Sequence, residues 1–263
     1  MKKYIKKIFS NFGYDLINKQ ASERQSLKGA LQQIKKNWTP EVVIDVGAAF
    51  GTWTKECYKI FPKAQYLLIE PLTEYNRSLD KLKNEKNNII TINTAANSTT
   101  GTVFFNMHKD LVGSSLKNEI EGQEVDGKKI EVKSITLDDA CMQNNLSGDF
   151  LIKIDVQGAE LDVLEGAKNI FDKTECIILE VSLFKSFING HDLFDIISYM
   201  KNIGFVPYDI FGFLYRPYDN ALCQVDIVFV KTNSNFRKFQ GYASKEQREK
   251  QNEKFEKKID ELL

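Results

Sequence analysis

VVIDVGAAFGTWT, residues 42–54, joins an apolar run to a segment with helical spacing through two glycines, Gly47 and Gly51. A run that is apolar at nearly every position is typical of a parallel strand covered by helices on both faces. Glycine at the turn that follows lets a ligand approach the backbone closely. The stretch therefore predicts the first strand and helix of a Rossmann-like α/β fold, with a ligand bound at the turn.

The rest of the chain alternates between short β-rich runs and segments with helical periodicity. This alternation predicts a mostly parallel, seven-stranded sheet with helices on both faces. The predicted strands are 42–47, 64–70, 88–96, 150–156, 175–182, 205–210 and 224–230. The predicted helices are 52–60, 73–85, 159–170 and 191–203. The first, fourth and fifth strands are almost continuously apolar, so we expect them at the centre of the sheet.

Residues 97–149 interrupt this alternation. Two stretches, GTVFFNM from Gly101 and KKIEVKSITL from Lys128, have the pattern of β segments around a polar loop, and no helix is predicted between them. We therefore expect an antiparallel β excursion that lies over the sheet edge or over the mouth of the site.

The composition indicates which kinds of partner and which cellular compartment to expect. Lys plus Arg and Asp plus Glu both total 36 residues, so no net field attracts a polyanion and no nucleic-acid partner is expected. The four cysteines form no C-x-x-C pair, which argues against a zinc or redox site. No apolar run has the length of a membrane span and the amino terminus lacks signal-peptide features, so we expect a cytoplasmic protein.

Three parts of the chain differ in character: a helical extension at 1–39, a core domain at 40–232 and a charged helix at 233–263. Residues 2–12 place lysines and apolar residues at helical spacing, which predicts a basic amphipathic helix. Docking against the protein itself or a partner is the favoured interpretation, and peripheral contact with a membrane is the alternative. The two helical ends also leave a homo-oligomer open.

Glu70 ends the second predicted strand, at a separation from Asp45 close to that at which an acid binds an adenosine ribose. Pro71 then turns the chain away from the strand. The carboxylate is thereby left at the edge of the sheet where ligands of open α/β sheets bind. An exposed acid at a strand end is the simpler alternative, but the glycine turn beside it favours ribose binding.

Asp155 and Glu180 end the two neighbouring apolar strands at the same edge of the sheet. An acid at the end of a buried strand is costly unless it meets water, a cation or a ligand. The two carboxylates could position an acceptor hydroxyl, share its proton or hold a divalent cation. Glu160 begins the following helix, where stabilisation of the first turn explains it better than catalysis.

The turn after the first strand also indicates the kind of cofactor. A pyrophosphate needs several exposed N–H groups at a helix N-terminus, which the pattern G-x-G-x-x-G supplies and this turn lacks. S-adenosylmethionine (SAM) carries no phosphate and can use a turn with fewer glycines. SAM is therefore favoured, and an NAD(P)-dependent oxidoreductase or sugar epimerase is the alternative, because these enzymes share the βαβ opening.

Five motifs in this order make residues 40–232 resemble the FkbM family of methyltransferases. They are IDVGAAFG (44–51), the Glu70-Pro71 pair, the Gly113-Ser114-Ser115 turn, ITLDD (135–139) and KIDVQGAELDVLEGA (153–167). The resemblance implies a class I methyltransferase fold and SAM-dependent O-methylation of a sugar, surface glycan or glycosylated metabolite, as in polysaccharide biosynthesis. We expect direct in-line transfer to a small-molecule or glycan acceptor; a non-catalytic SAM-binding module is a further alternative.

The resemblance also implies a set of cofactor contacts. From the first turn it implies contacts with the methionine end of SAM, at Asp45, Gly47, Ala48 and Gly51. From later segments it implies contacts at Glu70 and Pro71, at Asn93 or Ala95, at Ser114 and Ser115, and at Asp155 beside the sulfonium. The family usually has Asn where this chain has Ala49.

Two histidines are further candidates for the catalytic base. His108 follows GTVFFNM, and His191 opens the helix after the fifth strand, so either could reach the acceptor together with Asp155 or Glu180. A surface or capping role is commoner for histidine. A divalent metal is not expected because the sequence has no dense cluster of acids, and if one bound, Asp155 and Glu180 would be its ligands.

Overall fold

The computed structural model describes residues 23–260, which form two compact units, residues 23–232 and residues 233–260. The strands are β1 Val42–Val46, β2 Gln65–Ile69, β3 Ile89–Ile92, β4 Ala95–Ala96, β5 Gly101–Met107, β6 Lys128–Ile135, β7 Phe150–Ile154, β8 Thr174–Ser182, β9 Phe205–Tyr215 and β10 Leu222–Lys231. The α-helices are α1 Leu27–Lys35, α2 Thr52–Ile60, α3 Asn76–Glu85, α4 Gln123–Asp126, α5 Leu137–Gln143, α6 Glu160–Glu165, α7 Leu193–Asn202 and α8 Lys245–Asp260.

Seven strands form one sheet in the order β3-β2-β1-β7-β8-β10-β9. The first five are parallel, and β10 runs antiparallel to both of its neighbours. The predicted seven-stranded, mostly parallel sheet is confirmed, and β1, β7 and β8 occupy its centre as expected. Every residue of β1 and β7 is buried, which explains why both strands are apolar on both faces.

The two faces of the sheet are covered by different helices. Alternate residues of the central strands, such as Ile44 and Ile152, pack in one apolar core with residues of α5, α6 and α7. The intervening side chains point to the opposite face, where Thr54 of α2 donates a hydrogen bond to Asp45. The covering of both faces, predicted from sequence, is therefore confirmed.

A second, three-stranded sheet has the order β4-β6-β5, with β6 antiparallel to β5 and parallel to β4. It confirms a β excursion after β3, but two details of the prediction were wrong. The predicted strand 88–96 is split, because β3 ends at Ile92 and Ala95–Ala96 joins the second sheet. The short helix α4 also lies between the two β segments, where no helix was predicted, and α5 follows the second segment, with its first turn capped by Thr136 Oγ1 accepting from Asp139 N at 3.0 Å.

Several element boundaries also differ from the prediction. The predicted helix 159–170 ends at Glu165, and the predicted helix 73–85 begins with a 3₁₀ turn before α3 starts at Asn76. The last strand pair is longer than expected, since β9 continues to Tyr215. These shifts do not move the strand ends that carry the predicted acids.

The helices at the two ends of the described chain differ in their contacts and exposure. Helix α1 is tied to β9 by Gln33 Nε2, which donates to the Tyr208 hydroxyl at 3.2 Å, while Arg24 forms a 2.6 Å ion pair with Asp209. In the second unit, every residue of α8 is exposed. The predicted amphipathic helix at 2–12 lies outside the described residues, and the domain boundary at residue 40 stays a prediction. Within residues 23–260, no helix combines the length and apolarity needed to cross a membrane.

Gly47 is expected to be essential because it lets the turn after β1 pass close to the backbone of the turn after β7. Its φ is +76°, and an added Cβ would lie 1.9 Å from the Asp155 carbonyl oxygen. The substitution Gly47→Ala should lower the free energy of unfolding by about 3 kcal/mol, measured by urea denaturation. Gly101→Ala is the control, because no atom lies within 4 Å of its Cβ position, and it should change stability by less than about 0.5 kcal/mol. Similar losses in both variants would contradict this role.

Candidate active site

A cavity lies at the carboxyl ends of β1, β2 and β7, where the sequence predicts a ligand. It is partly open to solvent, and its empty space together with the solvent at its mouth is about 730 Å³. The second sheet and the loop after β5 supply one wall, through Ala95, Ala96, Phe105, Leu111 and Ser114. The predicted site residues that line the cavity are Gly47, Glu70, Pro71, Ala95, Ser114, Asp155 and Glu180.

Glu70 is held in the wall of this cavity by two backbone groups. Its Oε2 accepts from Ala49 N and its Oε1 from Leu72 N, both at 2.9 Å. Only 5% of the residue is exposed, and this burial raises the pKa of the carboxyl to about 7 despite the two backbone donors. Each oxygen keeps a further lone pair for a ligand hydroxyl.

The turn between β1 and α2 has three residues with left-handed backbone. They are Gly47, Ala49 and Gly51, with φ of 76°, 45° and 68°. Asn adopts this conformation more readily than Ala, which explains on physical grounds why Asn suits the position of Ala49. A Cβ on Gly51 would lie 3.0 Å from Leu82, so Gly51 allows α2 to start against α3 and does not line the cavity.

Asp45 lies fully buried beneath the cavity and does not line it. Its Oδ2 accepts from Thr54 Oγ1 at 2.5 Å, whereas no described residue donates a hydrogen bond to Oδ1. Burial raises the pKa of this carboxyl.

Lys153 is a buried cation between acids of neighbouring strands. Its Nζ lies 2.6 Å from Asp155 Oδ2, and Asp45 on β1 is its register partner. Burial lowers the pKa of Lys153, but the charges of Asp155 and Asp45 more than offset this, and the pKa rises to about 12. The ammonium group is therefore charged and partly neutralises the acids below the cavity.

Asp155 and Glu180 form a pair joined by one amide. Gln157 Nε2 donates to Asp155 Oδ1 at 2.9 Å and to Glu180 Oε2 at 2.8 Å, and Gln224 Nε2 also donates to Glu180 Oε2, at 3.2 Å. Burial opposes ionisation of Asp155, but Lys153 brings its pKa below the usual value. Burial and the negative charge of Asp155 raise the pKa of Glu180. The sequence prediction that these two acids converge on one site agrees with this geometry.

The turn that carries Gln157 is fixed from two sides. Glu160 Oε1 accepts from Gly158 N at 3.1 Å and from Val156 N at 3.4 Å. Ser115 Oγ donates to the Gln157 carbonyl at 2.6 Å. These bonds hold Gln157 in a left-handed conformation with φ of 54°. Glu160 thus stabilises the approach to α6, and its pKa is raised by burial to about 7.

Several predicted contacts lie outside the cavity. Asn93 Nδ2 donates to the carbonyls of Glu70 and Pro71 at 2.9 and 3.0 Å, so it fixes the end of β2. Ala48 is buried and its N–H bonds the Ile69 carbonyl at 3.2 Å. Neither residue lines the cavity, and neither does Ser115.

Neither histidine lines the cavity. The His108 ring is buried against Gly113, and its Nε2 lies 3.7 Å from Glu119 Oε1. His191 directly precedes Asp192, the N-cap of α7. The geometry therefore gives no support to a role for either histidine as the base.

No group of three potential metal ligands occurs within residues 23–260. The two acids that could have held a divalent cation, Asp155 and Glu180, already share an amide donor, and Lys153 contacts one of them.

The sequence interpretation did not include Lys153 or Gln157 in the site. A lysine within the apolar run FLIKIDV was a usable signal, because a buried lysine requires a charged partner. The role of Gln157 depends on a left-handed turn and on a contact with Ser115, which lies 42 residues away in the chain. Such a contact leaves no local pattern in the sequence.

The fold and the cavity define a Rossmann-like protein with an acidic small-molecule site at the carboxyl edge of its sheet. The sequence matches the methyltransferase FkbM domain over residues 45–207, and the chain belongs to this family. This membership confirms the resemblance stated from sequence, and the sheet order accords with the class I methyltransferase fold.

Two relatives have assigned names. The chain is 29% identical over 161 residues to 2-O-methyltransferase NoeI of Sinorhizobium fredii, covering 54% of this chain and 63% of the relative. It is 24% identical over 142 residues to hexuronic acid methyltransferase AglP of Haloferax volcanii, covering 54% of this chain and 56% of the relative. The matched part is thus less than two thirds of either relative. Magnesium protoporphyrin IX methyltransferase of Synechocystis with bound SAM is similar at 10% identity and a TM-score of 0.42, covering 88% of this chain and 97% of that one.

Replacing Lys153 with Met should lower the free energy of unfolding by about 3–5 kcal/mol at pH 7, because Asp45 and Asp155 lose their buried cation. Without Lys153 the folded-state pKa of both acids rises, so the folded state binds more protons than the unfolded state. The loss should therefore shrink when urea unfolding is repeated at pH 5. Lys59→Met is the control, because it removes an exposed ion pair with Glu56. It should lower the free energy of unfolding by less than about 1 kcal/mol at both pH values. A loss that does not depend on pH would contradict this account.

Proposed function

We propose that the protein is a SAM-dependent O-methyltransferase that acts on a hydroxyl of a sugar or a sugar-bearing molecule. The observation that carries the proposal is the convergence of Glu70, Asp155 and Glu180 on one cavity. Membership of the FkbM methyltransferase family supports the reaction class. The names of the two relatives, a 2-O-methyltransferase and a hexuronic acid methyltransferase, support an oxygen acceptor on a sugar.

The cavity residues fit SAM at both of its ends. The free lone pairs of Glu70 suit the two ribose hydroxyls, and the apolar wall around Phe105 and Leu111 suits an adenine ring. The acids on the opposite side, Asp155 and Glu180, suit a positively charged sulfonium. When bound, SAM supplies an electrophilic methyl group.

The chain's own task is to orient the acceptor and remove its proton. Orientation alone can lower a reaction barrier by about 7–11 kcal/mol. A neutral hydroxyl is a weak nucleophile, and a carboxylate that accepts its proton contributes roughly 10²–10⁴-fold. Asp155 and Glu180 are the acids placed to do so in the cavity.

The NAD(P)-dependent alternative shares the acid at the end of β2 but needs a pyrophosphate cradle. The turn from Gly47 to Gly51 lacks the third glycine. Calorimetric titration with SAM, with its demethylated product S-adenosylhomocysteine (SAH) and with NAD separates the candidates, because binding of NAD without SAM would overturn the proposal. Turnover of methyl-labelled SAM with sugar acceptors, hexuronic acids among them, separates an enzyme from a non-catalytic SAM-binding module.

Glu70→Gln should weaken binding of both SAM and SAH about 10–100-fold, because a neutral amide replaces the charged acceptor of the ribose hydroxyls. The measurement is isothermal titration calorimetry. Glu74→Gln is the matched control, since Glu74 is an exposed acid in the next turn of chain, and its affinities should equal those of the unmodified protein. Equal affinities in the two variants would exclude Glu70 from the cofactor site.

The affinity for SAH should also depend on pH through Glu70. Its pKa is about 7, and ribose hydroxyls donate to the carboxylate form. Binding therefore favours the deprotonated state, so affinity should rise from pH 6 and level off above about pH 7.5. The same titrations on Glu70→Gln should show no such rise, and a persistent rise would assign the titration to another group.

A further inference from the structure

Asp155 and Glu180 share one hydrogen-bond donor, the side-chain amide of Gln157. The Gln157 amide nitrogen reaches Asp155 at 2.9 Å and Glu180 at 2.8 Å, and both carboxyls line the cavity. Two ionised carboxylates this close to one amide repel each other. Lys153 forms an ion pair with Asp155, whereas Glu180 forms none within the described residues. The pair therefore keeps one proton at neutral pH, held mainly by Glu180, in which burial and the charge of Asp155 raise the pKa.

The groups that face this pair from the neighbouring strands are mostly acidic. Lys153 contributes the positive charge from β7, and Asp45 lies beside it on β1. Asp226 on β10 is the register partner of Glu180, and burial raises its pKa to about 6. At pH 8 Asp226 is ionised, so it adds a negative charge that helps to retain the shared proton.

Two more acids approach from other elements. Glu160 lies behind the turn that carries Gln157, and Glu70 lies across the cavity at the end of β2. Burial raises the pKa of each to about 7. Both are largely ionised at pH 8, so neither is the source of the proton that the Asp155–Glu180 pair holds there.

We propose that the Asp155–Glu180 pair gives up its shared proton to solvent when a sulfonium cation occupies the cavity, and takes one proton back from the acceptor hydroxyl during transfer. The physical basis is the exchange of one positive charge for another at the same place. A sulfonium near two carboxyls favours their ionised forms, so its positive charge takes the place of the shared proton. The pair is thus a competent base only while the methyl donor is bound.

The step balances in atoms and charge. During transfer the sulfur–methyl bond breaks, an oxygen–methyl bond forms, and the hydroxyl proton passes to the doubly ionised pair. The sulfonium becomes a neutral thioether, while the pair returns to its singly protonated form. The one proton that O-methylation liberates overall therefore leaves the protein when SAM binds, before transfer.

This inference rests on the proposed function, since it requires SAM to bind in the cavity. It adds a means of distinguishing substrate from product. SAH has the same ribose and amino acid but no sulfonium, so it gains nothing from an ionised pair. Selectivity for SAM over SAH should consequently increase with pH, by at most about tenfold per pH unit.

The test measures protons released on binding, with no acceptor present. Titrations of SAM and of SAH are performed at pH 8 in buffers with different ionisation enthalpies, from which the number of released protons follows. We expect SAM to release close to one proton more than SAH. The protons that Glu70 releases cancel in this comparison, because both ligands carry the ribose.

Two variants locate the source of the proton. Glu180→Gln should abolish the excess release while both ligands still bind, and it also corrects for titration of the ligand's own amino group. Glu74→Gln removes an exposed acid that does not line the cavity and should keep the excess. In the unmodified protein, the ratio of the two dissociation constants between pH 6 and pH 9 gives a measurement that needs no variant.

The outcomes separate this inference from the proposed function. If SAM does not bind, the proposed function fails. If SAM binds but releases no more protons than SAH, or if the excess persists in Glu180→Gln, the shared-proton inference is overturned while SAM binding stands. A SAM-to-SAH selectivity that does not change with pH would overturn it as well.

Discussion

The buried ammonium group of Lys153 is the interaction on which the charge of the site depends. The parallel register of β1 and β7 places Asp45 beside it, and Asp155, directly after β7, accepts a hydrogen bond from it at 2.6 Å. An ion pair buried in this way adds little stability over an apolar pair of the same size, but removal of one partner is costly. Its contact with Asp155, which lines the cavity, therefore has its main consequence in the electrostatics of the site.

The same strand end links this network to the second sheet. Gln157, directly after β7, bonds both Asp155 and Glu180 through its side chain, and its carbonyl accepts from Ser115 in the loop after β5. That loop also supplies Leu111 to the cavity wall. Gln157 thereby connects the loop that forms part of the cavity wall with the pair Asp155 and Glu180.

The sequence was sufficient for the features that depend on local patterns. Continuous apolar runs located the central strands, and acids at strand ends located the site, because parallel strands share one edge. It failed where tertiary contacts decide the structure. A short helix, α5, is formed by seven residues whose cap motif lies inside a β-rich stretch, and His108 turns into the protein against Gly113. Asp45 beside Lys153 and Glu180 beside Gln157 likewise come from other strands.

The charge of the cavity floor distinguishes between cofactors independently of the glycine pattern. A dinucleotide would place two phosphate charges beside strand ends that carry Glu70 and Asp155, and the cation in contact there, Lys153, is already paired. Phosphates near carboxylates in a site of low dielectric repel them strongly. A sulfonium has the opposite charge and meets the same acids as partners. The buried acids and the missing third glycine are thus two separate reasons that favour the proposed SAM over a dinucleotide.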